Sequence, residues 1–211
     1  MQRTIIGILG KPLSGKDTVA AALCDQHSGI ARISMGDVVR EVKVTGPSHR
    51  FWDVLHDSIA VADAGGIAPD APIFHCITEL IEEKFAEGNT TVLWVGGPRS
   101  DQQVGWLDRW TNEQGYADQF LLIDVPKSEV YMRVNDRVGH NRVDDRTDVI
   151  AFRLSEYERV TLPAITRLEA EGRIATIYGV GSKESVAKRA VEALGMTHRD
   201  PEITLPSMAR R

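Results

Sequence analysis

Gly10-Lys11-Pro12-Leu13-Ser14-Gly15-Lys16-Asp17-Thr18 lies between an apolar run, Thr4-Ile5-Ile6-Gly7-Ile8-Leu9, and a segment from Thr18 to Asp25 that reads as a helix. Val19, Ala20, Ala22 and Leu23 recur there at helical spacing. Strand, glycine-bounded loop and helix start, in that order, make a phosphate cradle. The glycines let the backbone curl so that its N–H groups point inward, and the helix N-terminus adds about half a positive charge. Lys16 supplies a mobile cation for the outer phosphates. The spacing G-x-x-x-x-G-K is met, with Asp17 directly after the lysine and the hydroxyl residue Thr18 one place later. A purely structural glycine-rich turn is the competing reading; the strand before and the helix after favour phosphate.

The chain's 211 residues suit one domain with a full core. A net charge of −5 argues against nucleic acid or an acidic membrane as partner, while leaving room for a local basic pocket. Apolar runs stay short of the roughly 18 residues of a spanning helix, and the chain enters a strand at once, so neither a membrane span nor a signal peptide is expected. Cys24 and Cys76 lack metal-like spacing and read as reduced, packed thiols of a cytoplasmic protein.

Strand-like runs recur at Thr4–Leu9, Ile30–Ser34, Thr91–Val95, Phe120–Val125 and Ile174–Tyr178, with helical stretches between them. That alternation implies crossover connections and a mainly parallel sheet covered on both faces, which binds ligands at the carboxyl ends of its strands. Pro47 through Pro72 reads as a helix–turn–helix insertion. Asp70 is the expected N-cap of a helix over Ala71–Glu87, whose Ile73, Ile77, Leu80, Ile81 and Phe85 share one face. After the third strand, Gly96-Gly97-Pro98-Arg99 places a guanidinium at the carboxyl edge, where its planar fork suits phosphate; capping the strand edge or pairing with an acid are equal alternatives. Arg133 and Arg137 lie four apart on one helix face, followed by Arg142 and Arg153. They read either as a clamp on transferring phosphates or as a solvated charged face paired with Asp144, Asp145 and Asp148.

Five motifs in order resemble the adenylate kinase-type nucleoside monophosphate kinases, over about residues 4 to 194. The family's G-x-P-G-x-G-K-G-T is matched by Gly10, Pro12, Gly15, Lys16 and Thr18, and its S-x-G-D-x-x-R by Ser34, Gly36, Asp37 and Arg40. G-[FY]-P-R-x-x-x-Q is matched by Gly96, Pro98, Arg99 and Gln103, and R-x-x-x-R by Arg133 and Arg137. R-x-D-D with a distant R-L-x-x-Y is matched by Arg142, Asp144, Asp145, Arg153, Leu154 and Tyr157. The resemblance implies an α/β fold of the P-loop NTPase type, a five-stranded parallel sheet flanked by helices. It implies one domain over residues 1–194, with a mobile monophosphate-binding insertion at 35–70, a very short lid at 137–142, and a tail at 195–211.

The family's reaction moves the γ-phosphoryl of ATP, with Mg²⁺, onto a nucleoside monophosphate. By resemblance, Gly10, Pro12, Ser14, Gly15, Lys16, Asp17 and Thr18 hold ATP with Arg133 and Arg137. Met35, Gly36, Arg40, Ile67, Ala68, Gly96, Arg99 and Gln103 form the acceptor site with Arg142 and Arg153, Gln103 bonding the base. Lys16, Arg99, Arg133, Arg137, Arg142 and Arg153 neutralise the phosphoryl group in flight. Partners are ATP or ADP and a monophosphate, AMP first, and the protein is expected to be a monomer.

The departures are local. Val95 stands where the family has an Mg²⁺-assisting Asp, and Asp17 where it has glycine, so Asp17 is the candidate to face the metal through water; an acid favoured by the helix dipole is the equal alternative. Met35 replaces a threonine and Leu13 a loop glycine. The lid has no cysteines, so zinc is excluded there. Ser14-Gly15-Lys16-Asp17-Thr18 also resembles phage-type deoxynucleotide kinases, which keeps another (deoxy)nucleoside monophosphate open as acceptor. Val95 keeps open a nucleotide-binding protein with little turnover.

Overall fold

The computed structural model describes residues 2–136 and 147–196. Its sheet runs β2 (Ile30–Ser34), β3 (Thr91–Val95), β1 (Thr4–Leu9), β4 (Ala117–Asp124), β5 (Ile174–Tyr178), all neighbours parallel. β1 is central because its side chains are buried almost without interruption, as a strand covered on both faces requires. Four strands take the bounds the apolar runs predict. β4 instead starts at Ala117, ahead of the expected Phe120, because its polar opening still pairs with β1: Thr4 lies opposite Ala117 and Ile5 opposite Asp118. The Asp118 carboxylate accepts Arg173 Nη2 at 2.8 Å.

Alternation along the strands divides the core. Ile5, Leu9, Val92, Trp94, Phe120 and Leu122 face one side, against α4 (Asp70–Ala86), α5 (Asp101–Gln114) and α8 (Leu162–Ala170). Ile6, Ile8, Leu93, Leu121 and Ile123 face the other, against α1 (Lys16–Gln26) and α9 (Lys183–Ala193). Between β2 and α4 the chain forms α2 (Met35–Thr45), a short 3-10 turn (Gly46–Ser48) and α3 (Trp52–Asp63). α6 (Lys127–Asp136) follows β4, and α7 (Thr147–Glu156) runs through a π-turn (Tyr157–Thr161) into α8. Among the described residues no helix is long and apolar enough to cross a membrane, and Cys24 and Cys76 are free thiols.

One expectation is corrected. Asp70 is not the N-cap of α4: Pro69 holds that position, in extended conformation, and Asp70 is the first helical residue. Its carboxylate is taken up by α5 instead.

The chain reaches the carboxyl edge through Gly97, where the family motif carries an aromatic residue. Trp94, 1% exposed, lies over this backbone, and a Cβ on Gly97 would stand 2.1 Å from Trp94 Cε2. The opposing group is the interior of a packed ring and cannot swing aside. Gly97→Ala is therefore expected to destabilise the fold by about 3 kcal/mol, the upper part of the usual overpacking range. Urea unfolding checks this; a loss near zero would mean that Trp94 repacks freely.

Candidate active site

The phosphate loop is built where β1 ends and α1 begins. Gly15 caps α1 from the left-handed region (φ 95°) with no side-chain bond across the first-turn amides, which leaves the positive end of the helix facing the loop. Leu13 is also left-handed, at φ 61°. Lys16 folds back over this loop: Nζ donates to Gly10 O at 2.9 Å, Lys11 O at 2.7 Å and Ser14 Oγ at 3.3 Å.

Three cations gather here from three parts of the chain. Burial first, then the Arg99 guanidinium, push the Lys16 pKa down to about 7, with Asp17 opposing and Arg153 adding to the fall. Burial, then Arg153, likewise holds Arg99 below its ordinary range, again with Asp17 pulling the other way. A guanidinium does not give up its proton in a protein. Its lowered pKa therefore marks a buried charge set beside another cation, a condition that a bound polyanion relieves.

Arg99 is set by its neighbours. Its Nε donates to Gly96 O at 2.7 Å, and its backbone N–H donates to Gln103 Oε1 at 2.8 Å. Arg153 comes from α7, which lies against the loop between α3 and α4: a Cβ on Gly65 (φ 81°) would be 3.0 Å from Val149 Cγ1 and 3.2 Å from Arg153 Cγ. Ile67 and Ala68 of that loop are half-buried.

Other expected site residues are placed differently. Arg133 lies against the loop, its Nη1 3.7 Å from where a Cβ on Gly15 would stand. Its Nε donates to Glu129 at 2.8 Å, Nη1 to Leu13 O at 2.9 Å and Nη2 to Gly179 O at 2.8 Å, so it braces the phosphate loop against the exit of β5. Arg40 is exposed and pairs with Asp37 one turn away. Met35 is buried in the core, and Gly36 follows it on α2. Gln103, expected at the acceptor base, is 1% exposed, with Nε2 donating to Asp70 at 2.8 Å and Oε1 held by Arg99. Arg137, Arg142, Asp144, Asp145 and the expected lid at 137–142 lie outside the described residues, as does the tail beyond Met196.

Two groups at the site were not anticipated. Lys11, the second residue of the loop, bonds Asp124 at the end of β4 at 2.6 Å and sits over the Tyr157 ring. A lysine inside a phosphate loop was a readable signal. The Asp70 carboxylate, which accepts Ser100 Oγ at 2.6 Å, carried no such signal beyond its place at a helix start.

A family model described as an AAA domain matches residues 9–151. The adenylate kinase of Thermus thermophilus is 31% identical over 191 residues, covering 89% of this chain and 95% of that protein. The adenylate kinase of Salinibacter ruber is 29% identical, over 91% of this chain and 98% of its own. That of Sorangium cellulosum is 30% identical, over 90% and 96%.

Proposed function

The chain belongs to the adenylate kinase family, and from that premise we propose that it transfers the γ-phosphoryl group of ATP to the α-phosphate of AMP, giving two ADP. The observation that carries this reading is the convergence of Lys16, Arg99 and Arg153 beside the phosphate loop, close enough that Arg153 lowers the pKa of both other groups and Arg99 that of Lys16. Phosphoryl transfer asks for in-line positioning and charge neutralisation more than for a protein nucleophile, and these groups supply both. The loop amides and Lys16 hold the donor phosphates, with Arg133 keeping the loop in shape. Arg99 holds the acceptor phosphate, with Arg40 joining as the insertion at 35–70 closes. Arg153, with Arg137 and Arg142 of the lid, neutralises the moving group. Closure excludes water, the competing acceptor. The proposed site of action is the cytoplasm, where ATP and AMP are abundant.

Magnesium fits this donor set through hard oxygens. Val95 is 4% exposed, packed in the core, and offers no acceptor. Asp17 and Thr18 are exposed on the first turn of α1 beside Lys16, and an Mg²⁺ held largely by phosphates and waters needs few protein ligands. Mg²⁺ bound with ATP would be held near Asp17 and Thr18 and would supply positive charge against the phosphates. Asp17→Ala is expected to raise the Mg²⁺ concentration needed for tight ATP binding, read by calorimetry across an Mg²⁺ series. An unchanged metal dependence contradicts the assignment.

Lys16 gives the reaction a pH signature. With its pKa near 7 in the free protein, the side chain is largely neutral at pH 8, while bound phosphates favour the charged form. The complex then holds more protons than the free protein, so ATP affinity should fall as pH rises above about 7. At pH 8 binding should take up close to one proton, measurable as a buffer-dependent heat. At pH 6 Lys16 is already charged and uptake should be small.

A second acceptor is favoured by one observation: Met35, buried at the start of α2, offers no hydroxyl where the family has threonine. Diphosphate formation from ATP·Mg is tested against AMP, dAMP, GMP, CMP, UMP and dTMP. Preference for AMP supports the proposal; preference for another monophosphate moves the acceptor and keeps the mechanism; turnover with none overturns it.

A further inference from the structure

Lys11 is the second residue of the phosphate loop, and its two ends are engaged in different ways. Its carbonyl closes the turn at the loop's start, accepting the Ser14 N–H at 3.2 Å, and also accepts Lys16 Nζ at 2.7 Å. Its ammonium reaches out of the loop to the end of β4, where Nζ donates to Asp124 Oδ1 at 2.6 Å. There it lies 5.8 Å from the centroid of the Tyr157 ring. The lysine side chain is largely covered, 18% exposed against 51% for Asp124.

This pair is one side of a closed frame. Gly10 brings the chain so near β4 that a Cβ there would stand 2.5 Å from Ile123 O. The Asp124 carbonyl accepts the Gly179 N–H at 2.7 Å, and Arg133 runs from Gly179 O back to Leu13 O. The loop is therefore tied at Leu13 through Arg133 and at Lys11 through Asp124. Both ties end where β4 and β5 leave the sheet. A lysine has a flexible stem and sets no direction of its own; carbonyls held in place give Lys16 Nζ one.

Magnitudes separate folding from function here. A half-exposed ion pair adds little to stability, whereas a reacting group misplaced by about 1 Å can lose a hundredfold in rate. Lys11 Nζ has N–H groups besides the one given to Asp124, so valence permits a phosphate contact as well. What favours a tether is that the ammonium already has a carboxylate at 2.6 Å and an aromatic face beside it, the setting of a satisfied cation.

We propose that Lys11 is a positioning residue for Lys16: held by Asp124 and the Tyr157 ring, it fixes the loop corner whose carbonyl directs Lys16 at the donor phosphates. The inference rests on the reading of Lys16 as the donor-phosphate ligand. It also links the loop to the helix that carries Arg153, because Tyr157 opens the π-turn that follows α7.

The test compares Lys11→Met, Lys11→Arg, Asp124→Ala, the double variant Lys11→Met/Asp124→Ala and Lys16→Met in diphosphate formation from ATP·Mg and AMP. Assays run well below the lowest thermal midpoint, so that unfolding does not enter kcat. Lys11→Met and Asp124→Ala should each lower kcat on the order of tenfold, with KM for AMP within about twofold of the parent. These two variants move the local charge in opposite directions, so a shared loss reports geometry rather than the field at the phosphates. The double variant should be no worse than Lys11→Met alone, as two ends of one contact require. Lys11→Arg, which can still pair with Asp124 and lie on the Tyr157 ring, should recover most of the loss. Midpoints of the Lys11→Met and Asp124→Ala proteins should stay within about 4 °C of the parent.

If Lys11→Met slows turnover while Asp124→Ala leaves kcat unchanged or raises it, Lys11 binds phosphate directly and the proposal is overturned. Unchanged kcat in Lys11→Met overturns it whatever the midpoint does. Additive losses in the double variant, with a larger fall in midpoint, reduce the pair to a structural brace and overturn it too. If Lys16→Met leaves turnover intact, the reading of Lys16 itself falls; if Lys16→Met is costly and Lys11→Met is not, the positioning role alone falls.

Discussion

Lys16→Met should reduce kcat on the order of a thousandfold while leaving the protein at least as stable as the parent. The catalytic loss follows from where the charge sits. Lys16 Nζ is held 2.7–2.9 Å from two loop carbonyls, in a buried setting where a positive group facing developing phosphate charge is worth far more than in water. Removing one such preorganised group costs on the order of 3–4 kcal/mol of transition-state stabilisation. Stability moves differently because burial and two neighbouring cations already disfavour the charged lysine in the free protein. Methionine fills the same stem volume without that penalty. Steady-state kinetics paired with urea unfolding checks both halves. Activity within tenfold of the parent, or a clear loss of stability, contradicts the assignment.

Arg99→Ala ranks second, with an expected loss of 100- to 1,000-fold in kcat/KM for the acceptor, about the cost of one oriented donor in a dry site. Arg99→Lys should restore little of it. The parent side chain is tethered through Nε to Gly96 O, and its planar fork is oriented by that tether; an ammonium on a flexible stem has neither property. KM for ATP should stay near the parent value in both variants, because the donor phosphates rest on the loop and Lys16. Equal losses on donor and acceptor sides would mean that Arg99 supports the whole site rather than one substrate.

Much of this was legible in the residues because it is local. An apolar run ending in a glycine-bounded loop and a lysine has one good structural solution, and the alternation of runs and helices implied the parallel sheet that β1 centres. The motif arginine at Arg99 and the loop lysine, which the structure brings close together, were singled out by type and spacing. What the sequence hid depends on partners distant along the chain. Ala117-Asp118-Gln119 lacks apolar pattern and becomes strand because β1 supplies the ladder. Asp70 looked like a helix cap and is instead consumed by Ser100 and Gln103, some thirty positions on. Arg133, expected as a phosphate ligand from its spacing, also engages Glu129, Leu13 O and Gly179 O through three of its five N–H groups. Hydrogen-bond competition of this kind has no periodicity to read.

Following the γ-phosphoryl of labelled ATP·Mg in the presence of AMP tests the central claim most directly. The account predicts that the label appears in the β-position of ADP formed from AMP, with release as inorganic phosphate a minor fraction, and that Lys16→Met and Arg99→Ala abolish or sharply slow the transfer. Label going chiefly to inorganic phosphate, or remaining in bound ATP, would contradict it.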